Sequence, residues 1–269
     1  MTLLDSLLDD LAAEGDVLWT LVADLDDAGW ATPTPAAGWT VADQVAHLTW
    51  TDEQAVLAAC ASTPEGKRAW DAVVVRALED PHGFVDTAAH ELAELAPAAL
   101  LIRWEASRAA LSAALRAVPE GERMPWFGPP MSPASMATAR FMETWAHGLD
   151  VHEALGAAPA RTDRIRHVAH LGVRTRDFAY SVREESAPAE PFGIALVAPS
   201  GETWSWGPDD AAQRVRGSAW DFCCLVTQRV HRDDTDLVAT GADADHWLDI
   251  AQAFAGPSGE GRNQAGEPR

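Results

Sequence analysis

The chain has 269 residues, enough for one large core or two ordinary domains, and its 47% hydrophobic and 23% charged content is that of a soluble globular protein. A net charge of -21 argues against nucleic acid and anionic membranes as partners, since both are bound through basic patches. No run is long and apolar enough to span a bilayer, and no Lys or Arg precedes Lys67, so the basic n-region of a secretory leader is missing and a cytoplasmic location is expected. Cys60, Cys223 and Cys224 are odd in number and two are adjacent, which is no disulfide framework; all three read as buried free thiols in a reducing compartment.

Leu4, Leu7, Leu8, Leu11, Leu18, Leu21, Val22 and Leu25 recur at helical spacing and predict a first helix over residues 3–25. Thr32-Pro33-Thr34-Pro35 is loop-like, and Thr40 with Asp43 three residues on is close to a capping box. It opens a second helix, Val41 to about Cys60, which contains His47. A third helix is expected from about Arg68 to Leu78, interrupted by Pro81-His82-Gly83. A fourth begins in the Asp86–Leu95 region, is re-set at Pro97 and runs to Val118. Pro119–Pro130 is turn-rich, and its Trp126-Phe127 pair suits either a pocket wall or a loop anchor. Ser132 as N-cap, Pro133 at the first helical position and Gly156 past the end frame the next helix. Another extends from Thr162-Asp163 to about Arg183.

The pattern changes near Ser186–Pro191, a linker by composition. Phe192–Val197 and Thr203–Trp206 read as a hairpin and Arg214–Arg216 as a third strand, followed by helices Ala219–Val230 and about Asp243 to Phe254. The expectation is a mainly α protein: an antiparallel helical bundle over residues 1–185, a small α+β domain over 190–255, and a disordered tail over 256–269.

Chemistry concentrates in FMETWAHGLDVHEA, residues 141–154. Glu143 and His147 stand four apart, so a helix sets them on one face, one turn apart. A carboxylate and an imidazole so placed can grip a divalent metal, or form an ordinary surface hydrogen bond. Asp150 shares that face, either as an orienting group or as an ordinary last-turn acid, whereas His152 points away. Trp39, Trp50, Trp104, Trp145 and Trp220 read as core packing, and His167, His170, His231 and His246 have no evident ligand partners.

GWTVADQVAHL (38–48) resembles the second-helix motif of DinB-like bundle proteins, and ETWAHGLD (143–150) resembles their later metal helix. RVRGSAWDFCCLVTQRV (214–230) and ATGADADHW (239–247) resemble the sterol-carrier-like domain of the mycothiol-dependent maleylpyruvate isomerases of actinobacteria, whose layout covers nearly the whole chain. That resemblance implies a metal set of His47, Glu143 and His147, most readily zinc, with open positions for water or substrate. It also implies a role at the site for an Arg of the C-terminal domain, matched here by Arg229, which as a bare sequence feature is a surface Arg near a helix end. The implied function is a metal-dependent isomerase or thiol transferase that uses mycothiol on a small electrophilic metabolite, as a monomer or homodimer. A thiol-independent lyase, hydrolase or cyclase, and a non-enzymatic metal- or ligand-binding protein, are the rival readings.

Overall fold

The computed structural model describes residues 2–81, 83–259 and 261–266. It divides into two compact units, Met1–Pro159 and Ala160–Arg269. The first is helical throughout its regular structure. α1 (Leu3–Val22) opens on a Thr2/Asp5 capping box. It stops short of Leu25, because a separate short helix, α2 (Asp27–Trp30), starts at an Asp26 cap. α3 (Val41–Ala59) opens on the anticipated Thr40/Asp43 box. α4 (Pro64–Glu79) starts a turn earlier than expected, since Thr63 caps it and Pro64 suits its first position. α5 (Phe84–Ala93) follows Gly83; His82, part of the expected interruption, lies outside the described residues. α6 (Pro97–Ala117) and α7 (Pro133–Ala154) complete the unit.

α3 is the hub, packing against α4, α5, α6 and α7, while α1 packs mainly on α7. A helix enclosed on so many sides is ordinarily apolar all round. α3 instead buries Asp43, Gln44, His47, Thr49, Thr51, Asp52 and Gln54. Buried polar groups persist only where they find partners, so this helix marks where the bundle does more than pack. One apolar cluster gathers Leu18, Val22, Val45, Leu100, Trp104 and Val151, and a second gathers Leu7, Leu8, Ala55, Leu111, Leu115 and Met136. On α7, Arg140, Glu143 and His147 occupy the turns between the two. Gln44 meets His147, His47 meets Glu143 and Asp52 meets Arg140, so α3 and α7 run antiparallel.

The segment 119–132 is an anchored loop. Met124 and Met131 pair across it, Trp126 stacks on Trp70 at 5.9 Å, and Phe127 sits against Trp50, Trp70 and Phe84.

The second unit starts well before the expected linker. The helical pattern after Thr162 resolves into a 3-10 turn at Asp163–Ile165, α8 (Arg166–Arg174) and α9 (Arg176–Ser181), and these belong with the sheet and not with the bundle. The reason is packing. α8 lies on α10 (Ala219–Val226), where a Cβ at Gly172 would meet Val226 at 2.9 Å, and α9 lies on α11 (Ala242–Ile250), where the Tyr180 hydroxyl donates to the Asp243 carbonyl. The sheet order is β2-β1-β3-β4. β1 (Phe192–Val197) and β2 (Thr203–Trp206) form the expected antiparallel hairpin, β3 (Gln213–Ser218) is parallel to β1, and β4 (Val238–Thr240) is an unanticipated edge strand. α10 ends at Val226, four residues early, because Gln228 adopts φ 59°. α11 ends at Ile250, short of Phe254.

The tail carries no regular structure over its described residues, yet it is tied down: Gln252 donates to the carbonyls of Phe254, Gly256 and Pro257, and Ala265 N–H donates to Asp234. Glu260, Glu267, Pro268 and Arg269, which the expected disordered tail includes, lie outside the described residues. Of the cysteines, Cys223 and Cys224 are buried as expected, but Cys60 is exposed, because it caps the solvent end of α3.

Candidate metal centre

Ser132 caps α7 by accepting from the Ser135 N–H, and Gly156 takes φ 64° just past its end, so the helix runs unbroken through Glu143 and His147. Glu143 Oε2 lies 3.1 Å from His147 Nε2 and 3.2 Å from His47 Nε2, the latter reaching across from α3. His47, Glu143 and His147 are the one group of three or more metal-competent side chains found among the described residues, with ligand atoms all within 4.8 Å of one another. Bonds of about 2.0–2.1 Å in a tetrahedron imply ligand-to-ligand edges of about 3.3 Å, which these two separations approach.

The electrostatics of the cluster are unusual. Burial alone pushes the Glu143 carboxyl up, but hydrogen bonds and charge from His147 and His47 outweigh it and hold the group well below the ordinary carboxylate range. Glu143 is therefore an anion with two imidazoles aimed at one of its oxygens. His147 Nδ1 is held by Gln44 Oε1 at 2.5 Å, whereas His47 Nδ1 is buried with no hydrogen-bond partner among the described residues. Trp39 stacks on His147 with ring centroids 5.8 Å apart and planes at 17°, and tilts against His47 at 5.3 Å. It is thus a wall of this cluster and not the core residue its type suggests, and Trp50 is likewise only partly buried against Phe84 and Phe127. Trp104, Trp145 and Trp220 are buried as expected.

The remaining candidates fall elsewhere. Asp150 is buried at 2% exposure on the next turn of α7 but is not in the three-residue cluster. His152 Nδ1 donates to the Gly148 carbonyl of its own helix at 3.1 Å and is not in the cluster. Arg229 belongs to the second unit, where its guanidinium donates to the Thr227 carbonyl at 2.6 Å. His246 pairs with Glu185 and His170 accepts from the Trp206 indole, so neither joins a ligand set.

Four further participants escape a reading by motif. Arg140 donates to Asp52 at 2.9 Å and reaches the Leu48 carbonyl at 3.4 Å, both side chains being at most 5% exposed. Gln44 and Thr34 form a chain behind His147. The signal that could have found them is the density of polar residues on a helix that must be buried.

The family model described as mycothiol maleylpyruvate isomerase N-terminal domain matches residues 11–152, which include all three members of the cluster. The chain belongs to this family. A second model, described as wyosine base formation, matches residues 188–240. An uncharacterized protein of Mycobacterium tuberculosis, found in strains CDC 1551 / Oshkosh and ATCC 25618 / H37Rv, is 57% identical over 253 residues, covering 94% of this chain and 96% of that one. The crystal structure of the mycothiol-dependent maleylpyruvate isomerase matches with a TM-score of 0.59 and 17% identity over 89% of this chain and 95% of that one, and a point mutant of that enzyme matches equally. At that identity the likeness shows the fold: a mainly α member of the family with a small α+β part.

Proposed function

We propose that this chain is a metal-dependent enzyme that uses mycothiol, or a similar low-molecular-weight thiol, to isomerise or conjugate a small electrophilic metabolite. The observation that carries the proposal is the convergence of His47 Nε2, His147 Nε2 and Glu143 Oε2. The hydrogen-bonding inventory supports a cation there. With Nδ1 of His147 bound to an amide oxygen, the lone pair of its Nε2 faces a carboxylate oxygen at 3.1 Å. Two acceptors at that distance repel unless a proton or a metal lies between them. Two imidazoles and one carboxylate suit zinc, and three protein ligands match the count of catalytic rather than structural sites.

When bound, a divalent zinc would supply Lewis acidity, lowering the pKa of a thiol or water at its open position. The chain's own residues do the rest. Glu143 stays ionised and offsets the cation's charge, while the α3–α7 pairing holds both imidazoles on it. Trp39 shields the two rings from water on one side. We assign Asp150, on the same helix face, to orienting His147 or a substrate, and Arg229, following the family resemblance, to holding thiol or substrate. The free cysteines and the absence, among the described residues, of any helix able to cross a membrane fit a place in the reducing cytoplasm.

The test compares His147→Ala with Arg229→Ala. His147→Ala should lose its metal and its thiol-dependent turnover while keeping its helical circular dichroism, since Ala is a strong helix former. Arg229→Ala should keep full metal and lose turnover. Full metal occupancy in His147→Ala would overturn the site. Turnover that persists without thiol would favour a metal-dependent lyase or hydrolase instead.

A further inference from the structure

We infer that Gln44, itself fixed by Thr34, is the positioning residue that selects the Nδ1–H tautomer of His147 and so presents the Nε2 lone pair to the metal centre. The inference rests on the metal-site reading, and it follows from proton counting along one chain of hydrogen bonds. The chain begins at the Trp39 carbonyl, which can only accept. The Thr34 hydroxyl lies 2.9 Å from it and must therefore donate its single proton there. That leaves Thr34 Oγ1 as an acceptor toward Gln44, 2.8 Å away, and only the amide NH2 can donate to it. The other end of the amide, Oε1, is then the atom facing His147 Nδ1 at 2.5 Å. An amide oxygen cannot donate, so Nδ1 carries the proton. In the neutral ring the remaining nitrogen, Nε2, is bare and points at Glu143.

The source of the chain is held rigidly. The segment before α3 closes on itself through Val41 N–H to Thr32, Thr34 N–H to Trp39 and Trp39 N–H to Ala36. Gly38 provides the φ of 77° that this turn requires. The same Trp39 whose carbonyl starts the chain also stacks its indole on the His147 ring. One short loop thereby fixes both the tilt of the imidazole and the position of its proton.

The identity of the partner has a second consequence. Ligating histidines are commonly backed by a carboxylate, which raises their basicity toward the metal. A neutral amide orients the ring without adding that charge. With Gln44 as its partner, His147 would leave a bound metal more electron-poor, which would favour the ionised form of a thiol or water.

The experiment reads the tautomer directly, by long-range 1H–15N correlation on histidine-labelled full-length protein in alkaline buffer, with and without zinc. Zinc affinity is measured in parallel by chelator competition. Wild type should carry a proton on Nδ1 of His147 in both states, with Nε2 bare when zinc is bound. Gln44→Leu should lose that preference in the metal-free protein and bind zinc roughly 10–100-fold more weakly. Gln44→Glu should restore the tautomer and bring affinity to the wild-type level or above, which a purely structural role for the side chain would not predict. Thr34→Val should shift both readouts in the direction of Gln44→Leu, by less. An Nε2–H tautomer in the metal-free wild type, or an unchanged tautomer and affinity in Gln44→Leu, would overturn the inference. Wild type that shows the Nδ1–H tautomer but retains no zinc would instead refute the metal centre while upholding the role of Gln44.

Discussion

Replacing Arg140 with Met should be among the most damaging single changes in the bundle, and the reason lies in what it leaves behind. The guanidinium Nε is 2.9 Å from Asp52 Oδ1, and the two side chains are 3% and 5% exposed. Among the described residues, the Ser107 hydroxyl is the other hydrogen-bond partner of the Asp52 carboxyl, at 3.5 Å, the limit of a hydrogen bond. Even with Arg140 present, burial pushes the Asp52 carboxyl above its ordinary range, the arginine offsetting only part of that effect. Removing one partner of a buried pair costs about 3–5 kcal/mol, because the other charge remains buried and uncompensated. For a unit of this size, 1 kcal/mol corresponds to a Tm shift of about 2–4 °C, so the bundle transition should fall by about 6–20 °C. Since the two units need not unfold together, urea unfolding should be followed by far-UV circular dichroism and by calorimetry, with the transitions compared. The damage should also depend on pH. A carboxyl whose folded-state pKa is raised contributes most below its unfolded value and loses that contribution as pH rises through the folded one. Arg140→Met raises Asp52 further, so the variant should recover toward wild type in acid and fall away at neutral pH. The double variant Arg140→Met/Asp52→Leu, with no charge left to bury, should regain most of the loss. A single-variant loss below about 1 kcal/mol, or a double variant no better than the single, would refute the reasoning.

Chelation of purified protein should lower the Tm through loss of a ligand bound only by the native state, while helical circular dichroism at room temperature survives, because the apolar clusters exist without the metal; collapse of the helical signal would contradict this. In metal-free protein, Glu143 is held below its unfolded pKa, so it stabilises above that value and the contribution is lost as pH falls through the lower, folded one. Glu143→Gln should therefore flatten the acid limb of a stability–pH curve recorded by denaturant unfolding, and an unchanged limb would show the carboxylate contributes nothing. A thiol reagent at mildly alkaline pH should label Cys60 quickly and the other two slowly, since burial pushes the Cys224 thiol up to about 12 and Cys223 well above its usual range. Mass spectrometry after brief labelling would count the modified thiols.

Glu143 and His147 were legible because four-residue spacing on one helix is a purely local signal, and Thr40, Asp43, Ser132 and Pro133 marked helix starts for the same reason. His47 entered through family likeness, since nothing in its own surroundings distinguishes a ligand from a buried imidazole. Gln44, Thr34, Asp52 and Arg140 were not legible: their meaning comes from partners 10 to 103 residues away in sequence. The division of the chain was misread for a similar reason. The helical pattern after Thr162 looks like a continuation of the bundle, and only the contacts of Gly172 with Val226 and of Tyr180 with Asp243 assign it to the sheet. Cys60 shows the reverse error, where a residue type common in cores sits at a solvent-facing helix end.

The three polar links between α3 and α7 join residues whose numbers sum to 191, 190 and 192. Apolar side chains attract without direction, and a helix pair held by them alone can slide by a turn and find another set of grooves with modest loss. Amide to imidazole, imidazole to carboxylate and guanidinium to carboxylate are not interchangeable in this way. A one-turn slip would break all three together and bury each group against the wrong neighbour. The outer links therefore act as alignment pins on either side of the middle one. The six residues 44, 47, 52, 140, 143 and 147 thus set the register of the helix pair, and the loop before α3 adds the orientation of one ring within it.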